Sequence, residues 1–205
     1  MILLVLENKL HLTNPADLTR AEECISKRNA VELFETGHLD ELNPGTVEAL
    51  AEIHRCLFSE IYAFAGKIRT VNLAKGNFRF APVLYLEAAL TAIEAMPQST
   101  FDEIIEKYVE MNIAHPFREG NGRSSRIWLD LMLKKELGQV VDWTQVDQED
   151  YLLAMERSPI KDLEIKQLLA AALTGEVNSR TVYQNGIDRS YEYEGFSFCR
   201  AAELG

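Results

Sequence analysis

Apolar residues return at helical spacing along nearly the whole of this 205-residue chain, and one stretch alone departs from the pattern. Val47, Leu50, Ile53, His54, Leu57 and Phe58 recur after Pro44, a residue that a first helical turn tolerates. A second helix is expected from about Pro82 to Met96. Thr100 and Glu103 form a capping box, after which Phe101, Ile104, Ile105, Tyr108 and Val109 line one face. That helix ends near His115, because Pro116 disfavours helical geometry in the residue before it. The next runs from Asn121 to Leu137, with Gly138 placed to stop it. Its middle is apolar nearly all round, so it is the expected central, buried helix. Further helices are expected over Gln148–Arg157 and Asp162–Leu173. The exception is KIRTVNLAKGNFRFAP, residues 67–82, where β-formers flank the turn signal Lys75-Gly76-Asn77. Two strands alone are marginal, so this hairpin is expected to lie on the helical body as a flap. The expected fold class is all-α with a small β-hairpin flap.

Charge and length limit what such a chain can do. A formal net charge of −11 argues against non-specific nucleic-acid binding. No stretch is long enough to span a membrane, and the apolar start Met1–Leu6 stops at Glu7 without the features of a signal peptide. A short strand or packed turn is expected there. Cys24, Cys56 and Cys199 lack metal-ligand spacing, and their odd number and wide separation argue against a disulfide framework. A reducing, cytoplasmic setting is therefore expected.

The chemistry concentrates in HPFREGNGRSSR, residues 115–126, between the end of one helix and the start of the buried one. Gly120-Asn121-Gly122 lets backbone and ligand approach closely at a helix N-terminus, where N–H groups and the dipole attract anions. Arg123 and Arg126 lie three apart on the first turn and can clamp phosphate oxygens. Arginines there oppose the dipole, so an anion is wanted to offset them. Glu119 supplies the hard oxygen that magnesium prefers, and His115 suits proton abstraction near neutral pH. Each residue alone has an ordinary explanation as a cap, a turn or a solvated charge. Together they make a set suited to phosphoryl-type transfer, where positioning and electrostatics dominate.

The segment HPFREGNGRSSR resembles the Fic family signature HPFx(D/E)GNGRxxR at every specified position. The flap and the later YLLAMERSP also resemble the Fic core, so the resemblance covers roughly residues 40–195. It implies a helical fold with a hairpin flap, and magnesium-dependent transfer of AMP from ATP to a Ser, Thr or Tyr hydroxyl of a target protein, releasing pyrophosphate. His115 would be the base, Phe117 a buried anchor and Glu119 the magnesium ligand. Gly120, Asn121 and Gly122 would form the anion hole, with Arg123 on the β-phosphate and Arg126 on the γ-phosphate. Lys75 and Gly76 would touch nucleotide or the docked target, and Asn112 would line the site. Gly122 and Arg126 distinguish this motif from that of the family's kinases. Self-association is common among the relatives. A de-AMPylating or bifunctional enzyme, or a nucleotide-binding regulator with little turnover, is the alternative.

Near the C-terminus, SYEYEG resembles the family's inhibitory motif (S/T)xxxE(G/N). Asn185-Gly186 reads as a turn, Asp188 as a cap and Gly195 as a stop, giving an expected short helix over about 187–195. Ser190 and Glu194 lie at i and i+4 on one face of it, and the resemblance implies that Glu194 pairs with Arg126 and denies ATP its productive pose. Tyr183, Tyr191 and Tyr193 are candidates for self-modification that would loosen this element. One domain over residues 1–205 is expected, its core at about 40–175.

Overall fold

The computed structural model describes residues 5–76 and 78–204, apart from the side chain of Lys75. Most of Met1–Leu6, and Asn77 of the expected turn, lie outside the described residues; Val5 and Leu6 pack on the core in an irregular segment.

Helix α1 spans Pro15–Glu35, its first turn capped by the Asn14 side chain, which accepts from the Ala16 N–H at 2.9 Å. A single turn, α2 (His38–Glu41), leads to α3 (Val47–Phe58). The cap of α3 is Thr46, which accepts from the Ala49 N–H at 3.1 Å, so Pro44 lies before the helix and not in its first turn. The flap pairs β1 (Ala74–Lys75) with β2 (Phe78–Arg79) in antiparallel register, Ala74 opposite Arg79. It is fastened to the helices by the Ala81 N–H, which donates to Ile113 O at 3.0 Å.

Beyond α4 (Val83–Glu94), α5 (Phe101–Ala114) begins with both halves of the Thr100–Glu103 capping box. Helix α6 (Asn121–Leu137) ends at Gly138, which is left-handed at φ 63°. Trp128, Leu129, Met132 and Leu133 on α6 are all at 0% exposure, packed between α5 and α3. Burial of this order is worth ~2 kcal/mol per large side chain, so packing rather than propensity holds α6 helical. After β3 (Val140–Val141) come α7 (Gln148–Arg157) and α8 (Leu163–Ala171). The expectation that α8 continues to Leu173 is corrected: Leu173–Thr174 form β4, paired antiparallel with β3. Among the described residues no helix is long and apolar enough to cross a membrane.

Two sequence expectations fail at the chain ends. The last helix, α9, spans Arg180–Glu192 with Ser179 as its cap, so Asn185 and Gly186 lie inside it and Asp188 does not begin it. Gly186 is there for close packing: a Cβ at that position would lie 3.0 Å from Trp143 Cδ1. The cysteines also differ from expectation, because Cys24 of α1 is joined to Cys199 by a disulfide with Cα atoms 5.6 Å apart. The fold brings α1 beside the C-terminal segment, which separation along the sequence does not reveal, and the thiol argument for a reducing setting loses its basis.

Candidate active site

The site grows from the corner between α5 and α6. His115 caps α5 in the left-handed region (φ 49°, ψ 63°), which turns the chain sharply into Pro116. Buried Arg69 holds this corner by donating to the carbonyls of His115 at 2.7 Å, Ala114 at 3.0 Å, Ala81 at 2.6 Å and Val71 at 2.7 Å. One guanidinium thus ties the flap to the end of α5. Phe80 of the flap stacks on the His115 ring with centroids 3.6 Å apart, and Nδ1 lies 3.3 Å from Asn112 O. A carbonyl only accepts, so this contact favours the proton on Nδ1. His115 is partly exposed.

The loop that follows is pinned from inside. Asn121 Oδ1 accepts from the Phe117 N–H, and its Nδ2 donates to Phe117 O, both at 2.8 Å. The Asn121 side chain is therefore a staple, and what it can offer an anion is its backbone N–H. Phe117 is buried and stacks on His54 with centroids 3.9 Å apart. His54 Nε2 donates to Glu119 O at 2.8 Å while Nδ1 accepts from the Gly66 N–H at 2.9 Å. Burial pushes the His54 pKa down to about 4, helped by the positive charge of Arg123 and opposed by the bond to Glu119 O. The imidazole therefore stays neutral and holds the loop.

At the amino end of α6, the cap is Gly120 at φ 75°, with no side-chain capping bond and no acid in the first turn. A carboxylate from elsewhere fills the place of the missing anion. Glu194 Oε1 accepts from Arg126 Nη2 at 2.9 Å, and Oε2 lies 2.8 Å from Arg123 Nε. The second contact is an ion pair without hydrogen-bond alignment. Ser190 completes the grip on Arg126, its hydroxyl accepting from Nε at 2.6 Å and its carbonyl from Nη2 at 2.8 Å. A Cβ on residue 122 would lie 2.5 Å from Glu194 Oε1, so the glycine leaves room for the carboxylate as much as for a phosphate.

Arg123 is fully buried and more crowded than the sequence implies. It donates to Glu22 at 2.5 Å and Glu119 at 3.1 Å, beneath the rings of Phe58, Tyr191 and Phe196. Glu22 in turn accepts from the Tyr62 hydroxyl. Glu22, Arg69 and His54 are the site residues that sequence reasoning missed. His54 stood out only as part of an apolar stripe, and a lone acid on α1 carries no local signal.

Glu119 fits a magnesium ligand: both of its hydrogen bonds, from the Gly120 N–H and Arg123, fall on Oε1, and its side chain is 41% exposed. Burial pushes its carboxyl above the ordinary range, opposed by the charge of Arg123. A second cluster, His38, Glu52 and Cys56, brings three potential donors within 4.8 Å. Arg55 already pairs with both oxygens of Glu52, which opposes a further cation there. Gly76 sits at the exposed flap turn with φ 58°, while the Lys75 side chain lies outside the described residues. The tyrosines are not presented for modification in this state. Tyr191 and Tyr193 are buried and donate to Ser26 Oγ at 2.7 Å and Val146 O at 2.9 Å; Tyr183, half-buried, donates to Ala30 O at 2.9 Å.

The Fic/DOC family model matches residues 44–133, which contain the whole 115–126 loop. The chain is 27% identical over 218 aligned residues to protein adenylyltransferase VbhT of Bartonella schoenbuchensis, covering 94% of this chain and 44% of that protein. It thus spans under half the length of that relative. It is 29% identical to the probable protein adenylyltransferase y4lH of Sinorhizobium fredii, covering 78% of this chain and 85% of the other. The BepC protein of Bartonella tribocorum, solved with bound AMPPNP, shares the fold with a TM-score of 0.66 at 18% identity, covering 83% of this chain and 92% of that one. Residues 44–133 of this chain form a Fic/DOC family domain.

Proposed function

We propose that this protein transfers AMP from ATP to a Tyr, Ser or Thr hydroxyl of a target protein, and that Glu194 restrains the reaction. The observation that carries this reading is the amino end of α6. There two buried arginines hold a carboxylate within 3 Å, on a helix whose first turn has no side-chain cap, and a partly exposed histidine stands at the adjoining corner. His115 Nε2 takes the proton of the incoming hydroxyl. The hydroxyl oxygen bonds to the α-phosphorus, the bond to the α,β-bridging oxygen breaks, and pyrophosphate leaves with that electron pair. The backbone N–H groups of the first turn of α6 receive charge on the transferred phosphate. Glu119 would hold magnesium, which neutralises phosphate charge when bound.

Restraint follows from competition. Glu194 and a terminal phosphate seek the same guanidinium of Arg126, and a charge-assisted pair there excludes the other anion. The names of VbhT and y4lH support the choice of AMP transfer among phosphoryl-type reactions. The test is the position of the label. With Glu194→Gly protein, lysate proteins should retain radioactivity from ATP labelled at the α-phosphate and none from ATP labelled at the γ-phosphate. Retention of the γ-label would mean kinase activity and overturn the reading.

A further inference from the structure

Beyond Glu194 the chain does not trail away. It turns at Gly195, left-handed at φ 86°, and the Phe196 N–H donates back to Tyr191 O at 3.1 Å. The Phe196 ring covers Arg123, with the guanidinium carbon 4.9 Å from its centroid. The next residues are fastened to α1. The Phe198 and Cys199 N–H groups donate to the buried Glu23 carboxylate at 2.9 and 3.2 Å, and Lys27 Nζ donates to Cys199 O at 2.6 Å. Asp188 of α9 accepts from Lys27 at 2.8 Å and from the Ala201 N–H at 3.0 Å. The Cys24–Cys199 disulfide is the covalent member of this seam.

From these contacts we propose that the Cys24–Cys199 disulfide is a redox clasp on the Glu194 restraint, closed when oxidised and released by a dithiol reductant. The inference rests on the restraint described above. Cys199 follows Glu194 by five residues, and its partner Cys24 lies on α1, two residues from Glu22, which anchors Arg123. With the bond intact, both ends of the Glu194 turn are fixed, one by α9 and the other by α1. The carboxylate then stays at high effective concentration beside Arg126. Once the bond is cleaved, the strap is held by its polar contacts, the Phe196 ring and buried Ala201 without a covalent link, and such a segment outside the main helices opens locally at lower cost than the helical core. The sulfurs belong to half-buried residues beside exposed Ser197, Phe198 and Arg200, so a small thiol can reach them. In the exchange, a reductant thiolate attacks one sulfur, forming a mixed disulfide and expelling the other cysteine as thiolate. The second reductant thiol then displaces the first cysteine, leaving two protein thiols and an oxidised, cyclic reductant.

The test compares the full chain in its oxidised form with the same protein after dithiothreitol treatment and desalting. Transfer of α-phosphate label to thiol-free lysate proteins is read, with Glu194→Gly protein run in parallel. Reduction should raise wild-type labelling by about fivefold or more, and leave Glu194→Gly unchanged. Amide exchange at 195–199 should quicken in the reduced protein, and the Cys24→Ser/Cys199→Ser variant should match reduced wild type with or without dithiothreitol. Reduced wild type makes the comparison without any substitution, so misfolding of that variant does not decide it. Equal labelling of oxidised and reduced wild type, with Glu194→Gly still elevated, overturns the clasp and leaves the restraint standing. Glu194→Gly no more active than wild type overturns the restraint and the clasp with it. Peptide mapping that finds Cys24 and Cys199 unlinked after diamide oxidation overturns the clasp alone.

Discussion

Glu194 Oε1 accepts a hydrogen bond from Arg126 Nη2 at 2.9 Å, joining residues 68 apart in sequence at the amino end of the buried helix. Ser190 shares the same guanidinium through its hydroxyl and its carbonyl. The anion that two arginines in the first two turns of a helix require is thus supplied by the chain itself.

Ser190→Ala removes the acceptor of Arg126 Nε inside a buried pocket. An unsatisfied charged donor there costs roughly 1–3 kcal/mol. The variant should melt lower than wild type, and α-phosphate label transfer should rise, because the grip on Arg126 weakens on the side that favours restraint. Melting and label transfer measured on the same preparation check both directions; a lower melting point with unchanged transfer would confine Ser190 to stability.

Arg126→Ala should uncouple the two states at once. It deletes the partner of Glu194 and the clamp assigned to the γ-phosphate, and leaves the Glu194 carboxylate facing Arg123 alone. Titration of magnesium-ATP should show weaker binding by roughly tenfold or more, the equivalent of one charge-assisted hydrogen bond. Adding Glu194→Gly to Arg126→Ala should change transfer by less than it does in wild type, since only the Arg123 contact of that carboxylate is left to remove.

Arg69→Ala removes the donor for the carbonyls of His115, Ala114, Ala81 and Val71. The left-handed corner at His115 then loses the contacts that hold it, and the imidazole loses its fixed position. In a Glu194→Gly background the expected result is a fall in turnover of about a hundredfold with ATP affinity nearly kept, as for a positioning residue. Steady-state kinetics that show KM rising while kcat holds would contradict this.

His54 makes stability depend on pH. Its folded pKa of about 4 lies below the ordinary value of 6.5, so the unfolded chain binds the proton more readily. Stability is therefore complete above about pH 6.5 and declines as pH falls toward 4. The loss from this one buried group amounts to ~3 kcal/mol. His54→Phe should flatten that limb of the denaturation midpoint against pH. It should also slow transfer, because Glu119 O loses its donor.

Local signals wrote much of this architecture. The capping box at Thr100, the stop at Gly138 and the proline after His115 each act on neighbours in sequence, so α5 and α6 have nearly the expected bounds. The 115–126 loop was legible for the same reason. What could not be read depends on tertiary packing. Asn185-Gly186 has turn chemistry, yet it lies within α9 because the helix packs closely on Trp143. Helix α1 buries Glu22, Glu23, Ser26 and Lys27, which blurs the apolar stripe that marks the other helices. Its contributions to the site, Glu22 against Arg123 and Cys24 against Cys199, appear only when the chain ends meet.

The most direct measurement compares Glu194→Gly with Glu194→Gly/His115→Ala for transfer of α-phosphate label from magnesium-ATP to lysate proteins, with ATP binding measured on both. A triphosphate seated at the head of α6 and a base at His115 predict strong labelling by the first. Labelling by the second should fall at least about a hundredfold, with ATP affinity retained. Equal labelling by the two proteins, or failure of Glu194→Gly to bind magnesium-ATP, would contradict the account.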